Sequence, residues 1–193
     1  MSGSADQLVR RLRLRHLELL VALAETGTTR SAADRLHLSQ PAISKMLNEI
    51  EGGFGARLFD RSHHGVQANA FGVAAVYRAR VILSELSRAR DEIDALQAGA
   101  TAVLRVGAPS VTATVPAAVV LLRARMPSAS VQIREGRVSE LIQRLLDGEL
   151  DCVFGAVTPQ LLAGDLLPLL QSEVLLEDQL CVLAAASNAK ARQ

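Results

Sequence analysis

Residues 30–48 read RSAADRLHLSQPAISKMLN, and two short helical patterns meet within this stretch. Each pattern places apolar side chains on one helical face. The two apolar faces consist of Ala32, Ala33 and Leu36, then Ile43, Leu47 and Ile50. Ser39 is a natural N-cap, because its hydroxyl can accept a backbone N–H left free in the next helix. Pro41 follows in the first turn of that helix, where a missing N–H costs nothing. The stretch therefore predicts two helices joined by a tight turn.

The second of these helices has a polar face opposite its apolar one. That face carries Gln40, Ser44, Lys45 and Asn48. Amides, hydroxyls and a cation on a short helix are the groups that read base edges in the major groove of DNA. The pattern is typical of a helix-turn-helix, although a capped surface helix with a solvated polar face would show it too.

A wider set of residues resembles the N-terminal signature of LysR-type transcriptional regulators. The residues that carry the resemblance are Ser31-Ala32-Ala33, Leu36, Leu38-Ser39-Gln40-Pro41-Ala42-Ile43-Ser44, Ile50-Glu51, Gly55 and Leu58-Phe59-Asp60-Arg61. The sequence departs from the family at Gly52-Gly53-Phe54, where the link is usually more aliphatic, and at Asn69, where a threonine often opens the next helix. Asparagine is also a good cap, so that helix should still form. The resemblance implies a winged helix-turn-helix that binds double-stranded promoter DNA.

Three parts of this region supply candidates for DNA contact. A first helix from Leu14 should end at Gly27, and Thr28 or Thr29 should cap the next, whose free N–H groups suit a phosphate. The polar tip of a wing, between short strands at Leu58-Phe59 and Val66, would reach the DNA backbone or the minor groove. The candidates are Arg30, Ser31, Ser39, Gln40, Pro41, Ser44, Lys45 and Asn48 in the helices, and Arg61, His63 and His64 at the tip. The paired histidines have no further ligands at a helpful spacing, so we expect no metal.

A long helical pattern runs from Phe71 to Gln97 without proline and without glycine after Gly72. Its apolar positions are spaced 3-4-3-4-3, which is the heptad seam of helices that pair with each other. The seam consists of Ala79, Ile82, Leu86, Ala89, Ile93 and Leu96. A single helix packed on a core more often shows a wider apolar stripe. We therefore favour a homodimer, or a tetramer, assembled through this helix.

After Gly99 the pattern changes to alternating strands and helices, which predicts an open parallel sheet. The expected elements are strands at Val103–Gly107, Val131–Arg134, Cys152–Gly155 and Leu180–Leu183, and helices at Val115–Met126 and Val138–Leu146. Because Cys152 and Cys181 lie within apolar runs and lack metal-ligand spacing, we expect buried free thiols.

The LysR resemblance continues more weakly through this region. The matching residues are Leu104-Arg105-Val106-Gly107, Glu135-Gly136, Leu145-Leu146 and Gly148-Glu149-Leu150-Asp151. The resemblance implies one lobe of a two-lobed, periplasmic-binding-protein-like effector domain, with the inducer between the lobes. Because the chain ends at Gln193, it resembles either an excerpt of a full regulator or a shortened one with little inducer response.

Turns beyond the carboxyl ends of the predicted strands supply candidates for binding a small anionic inducer. These candidates are Ser110, Thr112, Arg137 and Ser139. Each also has an ordinary structural interpretation, since the hydroxyls could merely cap helices and Arg137 could be solvated.

The composition is that of an ordinary globular protein, with 49% hydrophobic and 21% charged residues. The net charge of +1 gives no general support to DNA binding, so any support must come from local placement. No secretory signal and no apolar run of about 18 residues is visible, which favours a cytoplasmic protein without membrane contact. We see no catalytic constellation and no cofactor fingerprint.

The sequence thus predicts an α/β protein with three parts. They are a winged helix-turn-helix at residues 1–70, a dimerising linker helix at 71–99 and a partial, open α/β effector-binding domain at 100–193. The predicted function is sequence-specific transcriptional regulation. The alternative is a small-molecule-binding α/β module or an enzyme whose helical N-terminus serves assembly only.

Overall fold

The computed structural model describes residues 8, 10–62, 65–109, 114–156 and 169–175. The chain divides into two compact units, residues 1–156 and 157–193, and every element described below belongs to the first. The helices are α1 (Leu14–Thr26), α2 (Thr29–Leu36), α3 (Gln40–Phe54), α4 (Ala70–Gln97), α5 (Thr114–Arg125) and α6 (Val138–Leu146). The strands are β1 (Phe59–Ser62), β2 (Gly65–Ala68), β3 (Ala102–Ala108), β4 (Ala129–Glu135) and β5 (Cys152–Val153).

Helices α1, α2 and α3 pack around an apolar core that the start of α4 completes. The core residues predicted from the two short helical patterns are buried: Ala32, Ala33, Ile43, Leu47 and Ile50. From α1 the core receives Leu19, Leu20 and Leu23, which have no exposed surface. Burial of one such leucine is worth about 1.5–3 kcal/mol, so this cluster is the main source of stability for the helix-turn-helix.

Side-chain caps define where these helices begin, as the sequence predicts. The Thr28 hydroxyl caps α2 by accepting the Ser31 backbone N–H at 3.0 Å. The Ser39 hydroxyl caps α3 and the Asn69 carboxamide caps α4 in the same way. The joint between α2 and α3 turns at His37, whose φ of +54° is in the left-handed region that non-glycine residues rarely adopt.

Strands β1 and β2 form the wing as an antiparallel pair, with Phe59 opposite Ala68. The predicted tip of the wing was too long, because the two strands remain paired as far as Ser62 opposite Gly65. Cross-strand hydrogen bonding extends a hairpin through polar residues that carry no apolar signal. The wing also supports α4, since a Cβ added at Gly72 would overlap the carbonyl oxygen of Leu58.

Beyond the wing, α4 leads to a parallel sheet with the strand order β4-β3-β5. The central strand β3 pairs along its whole length with β4. The prediction of a helix-turn-helix part followed by an open parallel sheet is therefore confirmed. None of the helices in the described ranges is long and apolar enough to cross a membrane.

Strand β5 differs from the prediction of a buried strand at Cys152–Gly155. It consists of Cys152 and Val153, which pair with β3 at the edge of the described sheet. Cys152 is exposed, so the expectation of a buried thiol was wrong at this position. An apolar run does not reveal whether its strand will have neighbours on one side or on both. The expected strand at Leu180–Leu183, with Cys181, lies outside the described residues.

Replacing Gly72 with alanine should destabilise the chain by about 1–3 kcal/mol, because the backbone must shift to relieve the overlap with the Leu58 carbonyl. Gly52→Ala is the matched control. This residue lies inside α3 with no atom within 4 Å of an added Cβ, so the substitution should stabilise by about 0.5–1 kcal/mol. Urea unfolding followed by circular dichroism measures both changes. Equal changes in the two variants would contradict the packing of α4 against Leu58.

Candidate nucleic-acid interface

The turn between α1 and α2 brings together the wing and the N-termini of two helices. Gly27 ends α1 with a φ of +69°, and its carbonyl oxygen accepts the Val66 N–H of β2 at 2.7 Å. The Thr29 hydroxyl, in the first turn of α2, accepts a hydrogen bond from the Gln40 carboxamide of α3 at 3.0 Å. The base of the wing and the N-termini of α2 and α3, which belong to the three parts predicted to contact DNA, therefore lie next to one another.

The predicted polar face lies on helix α3 and makes few contacts with the rest of the chain. Gln40, Pro41, Lys45 and Asn48 are exposed, Ser44 is half-buried, and Ser39 is the exposed N-cap. The side chain of Lys45 is 81% exposed, and its ammonium lies 3.9 Å from the Glu49 carboxylate. An exposed i, i+4 pair of this kind is worth only a few tenths of a kcal/mol, so the Lys45 charge remains available to a phosphate.

Arg30 in α2 and Arg61 in β1 are two further cations on these elements. Both are exposed, and neither has an ion-pair partner within the ranges that the structure describes. Arg30 lies in the first turn of α2, where free N–H groups and the helix dipole also favour an anion. Ser31, in the same turn, is occupied by the Thr28 cap. His63 and His64, predicted at the wing tip, lie outside the described residues.

The sequence patterns did not predict that Thr29 and Glu51 position this interface. Thr29, considered only as a cap, instead orients Gln40 across the turn. Glu51 ties the end of α3 to the wing, because its carboxylate accepts the backbone N–H groups of Leu58 at 2.8 Å and Phe59 at 3.3 Å. Both contacts join residues seven to eleven positions apart, so helical periodicity gave no signal for them.

The predicted inducer residues are in part at the expected edge of the sheet. Arg137 and Ser139 are exposed and follow the carboxyl end of β4. The Gly136 N–H donates to the last carbonyl of β3 at 3.3 Å, which places this loop beside the end of the central strand. Ser110 and Thr112 lie outside the described residues. No group of three or more metal-ligating side chains occurs within the described ranges.

The predicted seam on α4 divides into a buried start and an exposed remainder. Ala79 is 1% exposed and lies in the core of its own chain. The exposed members are Ile82, Leu86, Ala89, Ile93 and Leu96. The four large side chains among them are 48% to 64% exposed. An aligned stripe of this kind is a surface that another molecule typically covers.

The fold defines a class: a winged helix-turn-helix joined by a long helix to a parallel α/β domain. Residues 14–73 match the family model described as a bacterial regulatory helix-turn-helix protein of the lysR family. Residues 97–193 match the LysR substrate binding domain, which covers half of the chain. The chain belongs to the LysR family.

The chain is similar to several proteins with known names. The chain is 37% identical over 148 residues to the HTH-type transcriptional regulator GbpR of Azospirillum brasilense, covering 75% of this chain and 43% of GbpR. It is 33% identical over 151 residues to the HTH-type transcriptional regulator TfdT of Cupriavidus pinatubonensis, covering 77% of this chain and 66% of TfdT. The crystal structure of CbnR, a LysR family transcriptional regulator, aligns with a TM-score of 0.46 and 30% identity, covering 77% of this chain and 52% of CbnR. The chain thus spans about half the length of most of its relatives.

Replacing Glu51 with alanine should loosen the wing, because the partly buried N–H groups of Leu58 and Phe59 lose their acceptor. We expect a loss of about 1–3 kcal/mol in unfolding free energy and faster hydrogen exchange at Leu58 and Phe59. Glu51→Gln keeps an acceptor oxygen and serves as the control, with a smaller effect on both. Unchanged exchange at the two amides in Glu51→Ala would mean that this carboxylate does not hold the wing.

Proposed function

We propose that this chain is the DNA-binding and first effector-domain part of a LysR-type transcriptional regulator, which binds promoter DNA sequence-specifically as a homodimer or tetramer. One observation carries the proposal. The N-termini of α2 and α3 and the base of the wing meet at the turn from Gly27 to Thr29, and exposed cations flank that turn. This arrangement fits the major groove with α3 and the neighbouring backbone with α2 and the wing.

Within this proposal, side chains divide into those that read bases and those that position the protein. Gln40 has the carboxamide that pairs with the N6 and N7 edge of adenine, and Pro41 offers apolar contact to a thymine methyl. Arg30, Lys45 and Arg61 would bind phosphates, which gives affinity without sequence information. Thr29 would hold Gln40 in place before DNA arrives, which lowers the ordering cost on binding.

The parts of the regulator follow the three predicted segments. We propose a winged helix-turn-helix at residues 1–70, a dimerising linker helix at 71–99 and a partial effector domain at 100–193. The effector domain would take a small anionic inducer at its carboxyl edge, near Ser110, Thr112, Arg137 and Ser139. Action on promoter DNA places the protein in the cytoplasm, and no catalytic step or cofactor forms part of the proposal.

Selection of bound fragments from a random DNA library tests the proposal directly. We expect enrichment of one paired half-site motif and an affinity that falls steeply with salt, because phosphate contacts release counterions. If the chain enriches no motif and its weak binding is unrelated to salt, the helical N-terminus serves assembly and the regulatory proposal fails.

Gln40→Ala should cost about 1–3 kcal/mol on the selected site and relax preference at one base step. Thr29→Val should give a smaller loss in the same direction, because Gln40 keeps its chemistry but loses its anchor. Thr29→Ser retains the hydroxyl and is the control. Fluorescence anisotropy measures the affinity of each variant for the selected duplex and for a scrambled duplex. A loss of equal size on both duplexes would show that Gln40 only contacts the backbone.

Assembly through α4 gives a separate prediction. Replacing both Leu86 and Ile93 with glutamate would put like charges into the apolar seam, so the oligomer should dissociate. Val73→Glu is the control, because Val73 is 60% exposed and lies on the face of the same helix opposite the seam. Sedimentation velocity at micromolar concentration reports the assembly state. An oligomer that survives the double substitution would mean that another surface forms it.

A further inference from the structure

A cavity of about 480 Å³ lies within the first unit, where α4 faces the parallel sheet. Its walls come from the end of α1, from α2 and α4, from β3 and β4, and from the end of α6. This volume is within the range of small-molecule sites in proteins. The carboxyl-edge residues Arg137 and Ser139 do not line it.

Arginines dominate the cavity wall. The six are Arg35, Arg80, Arg88, Arg105, Arg134 and Arg144. Four carboxylates also line it, and Glu85 and Asp151 pair with Arg88 beside it. Glu25 contacts both Arg35 and Arg80, and it is therefore shared between two cations. Of the six arginines, Arg134 has no carboxylate partner within the described ranges, so its charge remains available to an anion.

Arg105 is the most constrained of these arginines. Its side chain is 5% exposed, and a single guanidinium nitrogen, Nη2, lies 3.4 Å from the Asp91 carboxylate. The same nitrogen is 3.4 Å from the Arg88 carbonyl oxygen. Its Nε and Nη1 are buried without a hydrogen-bond partner among the described residues. Arginine cannot lose its proton in a protein, so burying these two donors unpaired is costly.

Arg134 adds a second cation with unused capacity on the same wall. Arg105 pairs with Gln132 in the parallel register, and side chains alternate along a strand. Arg134 therefore lies on the same face of the sheet as Arg105. It is exposed and has no ion-pair partner within the described ranges. The two guanidinium groups border the same cavity with donors to spare.

We infer that this cavity is a binding site for a small anion with two or three negative charges, carried on carboxylate or phosphate groups. The planar guanidinium fork binds either group through paired N–H donors. Such an anion supplies acceptors to Arg105 and Arg134 and adds a contact between β3, β4 and α4. The site is separate from the proposed inducer edge, and its occupation requires neither DNA nor an inducer.

Isothermal calorimetry on the purified chain tests this site with citrate and pyrophosphate as probes, each against sodium chloride at matched ionic strength. We expect saturable binding of one probe or both, with an accompanying rise in Tm because the anion binds only the folded chain. Binding of citrate alone indicates a carboxylate ligand, and binding of pyrophosphate alone indicates a phosphate. Absence of saturable binding for both probes overturns the inference.

Two substitutions locate the binding. Arg134→Gln and Arg105→Met should each weaken it about tenfold or more, because each removes a guanidinium fork. Arg105→Met also removes the contacts to Asp91 and to the Arg88 carbonyl oxygen, so the Tm of its anion-free form is measured first to establish that it folds. Arg125→Gln removes an exposed charge outside the cavity and should bind as the unmodified chain does.

If Arg134→Gln binds the anion with full affinity, the inference is wrong. If Arg105→Met does not fold, the result for Arg134→Gln is the one that tests the inference. Arg134 is exposed and makes no described ion pair, so its loss leaves the fold intact. DNA is absent from these measurements. If the chain binds neither anion, the regulatory proposal is unaffected. If DNA selection enriches no motif, the anion site is unaffected.

Discussion

The hydrogen bond from the Val66 N–H to the Gly27 carbonyl oxygen sets the geometry of the winged-helix part. At 2.7 Å it draws β2 against the turn between α1 and α2. Such an approach needs glycine at position 65, because a Cβ there would overlap the Gly27 carbonyl oxygen. Both glycines also have positive φ angles, +69° and +123°, which L side chains rarely adopt. The wing, the start of α2 and the start of α3 are neighbours because this contact holds them together.

The contact between α4 and the parallel sheet has a different physical basis. The winged-helix core is apolar, whereas α4 meets the sheet through ions: Arg88 lies 2.5 Å from Asp151, and Arg105 lies 3.4 Å from Asp91. Asp151 also accepts the backbone N–H of Arg105 at 2.8 Å. Partly buried ion pairs add little net stability but demand defined geometry. They therefore specify how the sheet lies on the helix more than they stabilise it.

This polar interface explains why the anion site and the proposed inducer edge lie at different places. Ligands of open parallel sheets bind beyond the carboxyl ends of the strands, where Arg137 and Ser139 lie. The arginine-lined cavity instead lies over one face of the sheet, against the helix that carries the proposed dimer seam. An anion there would act on the joint between the sheet and α4. A regulator built in this way would offer small molecules two separate sites.

The amino-acid sequence by itself determined the local structure. Thr28, Ser39 and Asn69 cap their helices as predicted, because a cap depends on groups within three residues. The apolar periods located the core of the helix-turn-helix, and the alternation of strands and helices predicted the parallel sheet. The family resemblance followed from the same short motifs.

Only the tertiary structure decided which surfaces become covered. Ala79 and Leu86 belong to one heptad pattern, yet the first is buried in its own chain and the second is 54% exposed. Cys152 is exposed because its strand lies at an edge, and Arg105 is buried because α4 lies over it. The bond between Thr29 and Gln40 likewise depends on how two helices cross. Periodicity indicates which face of an element is apolar. Packing between distant segments determines what the apolar face and the polar face opposite it will contact.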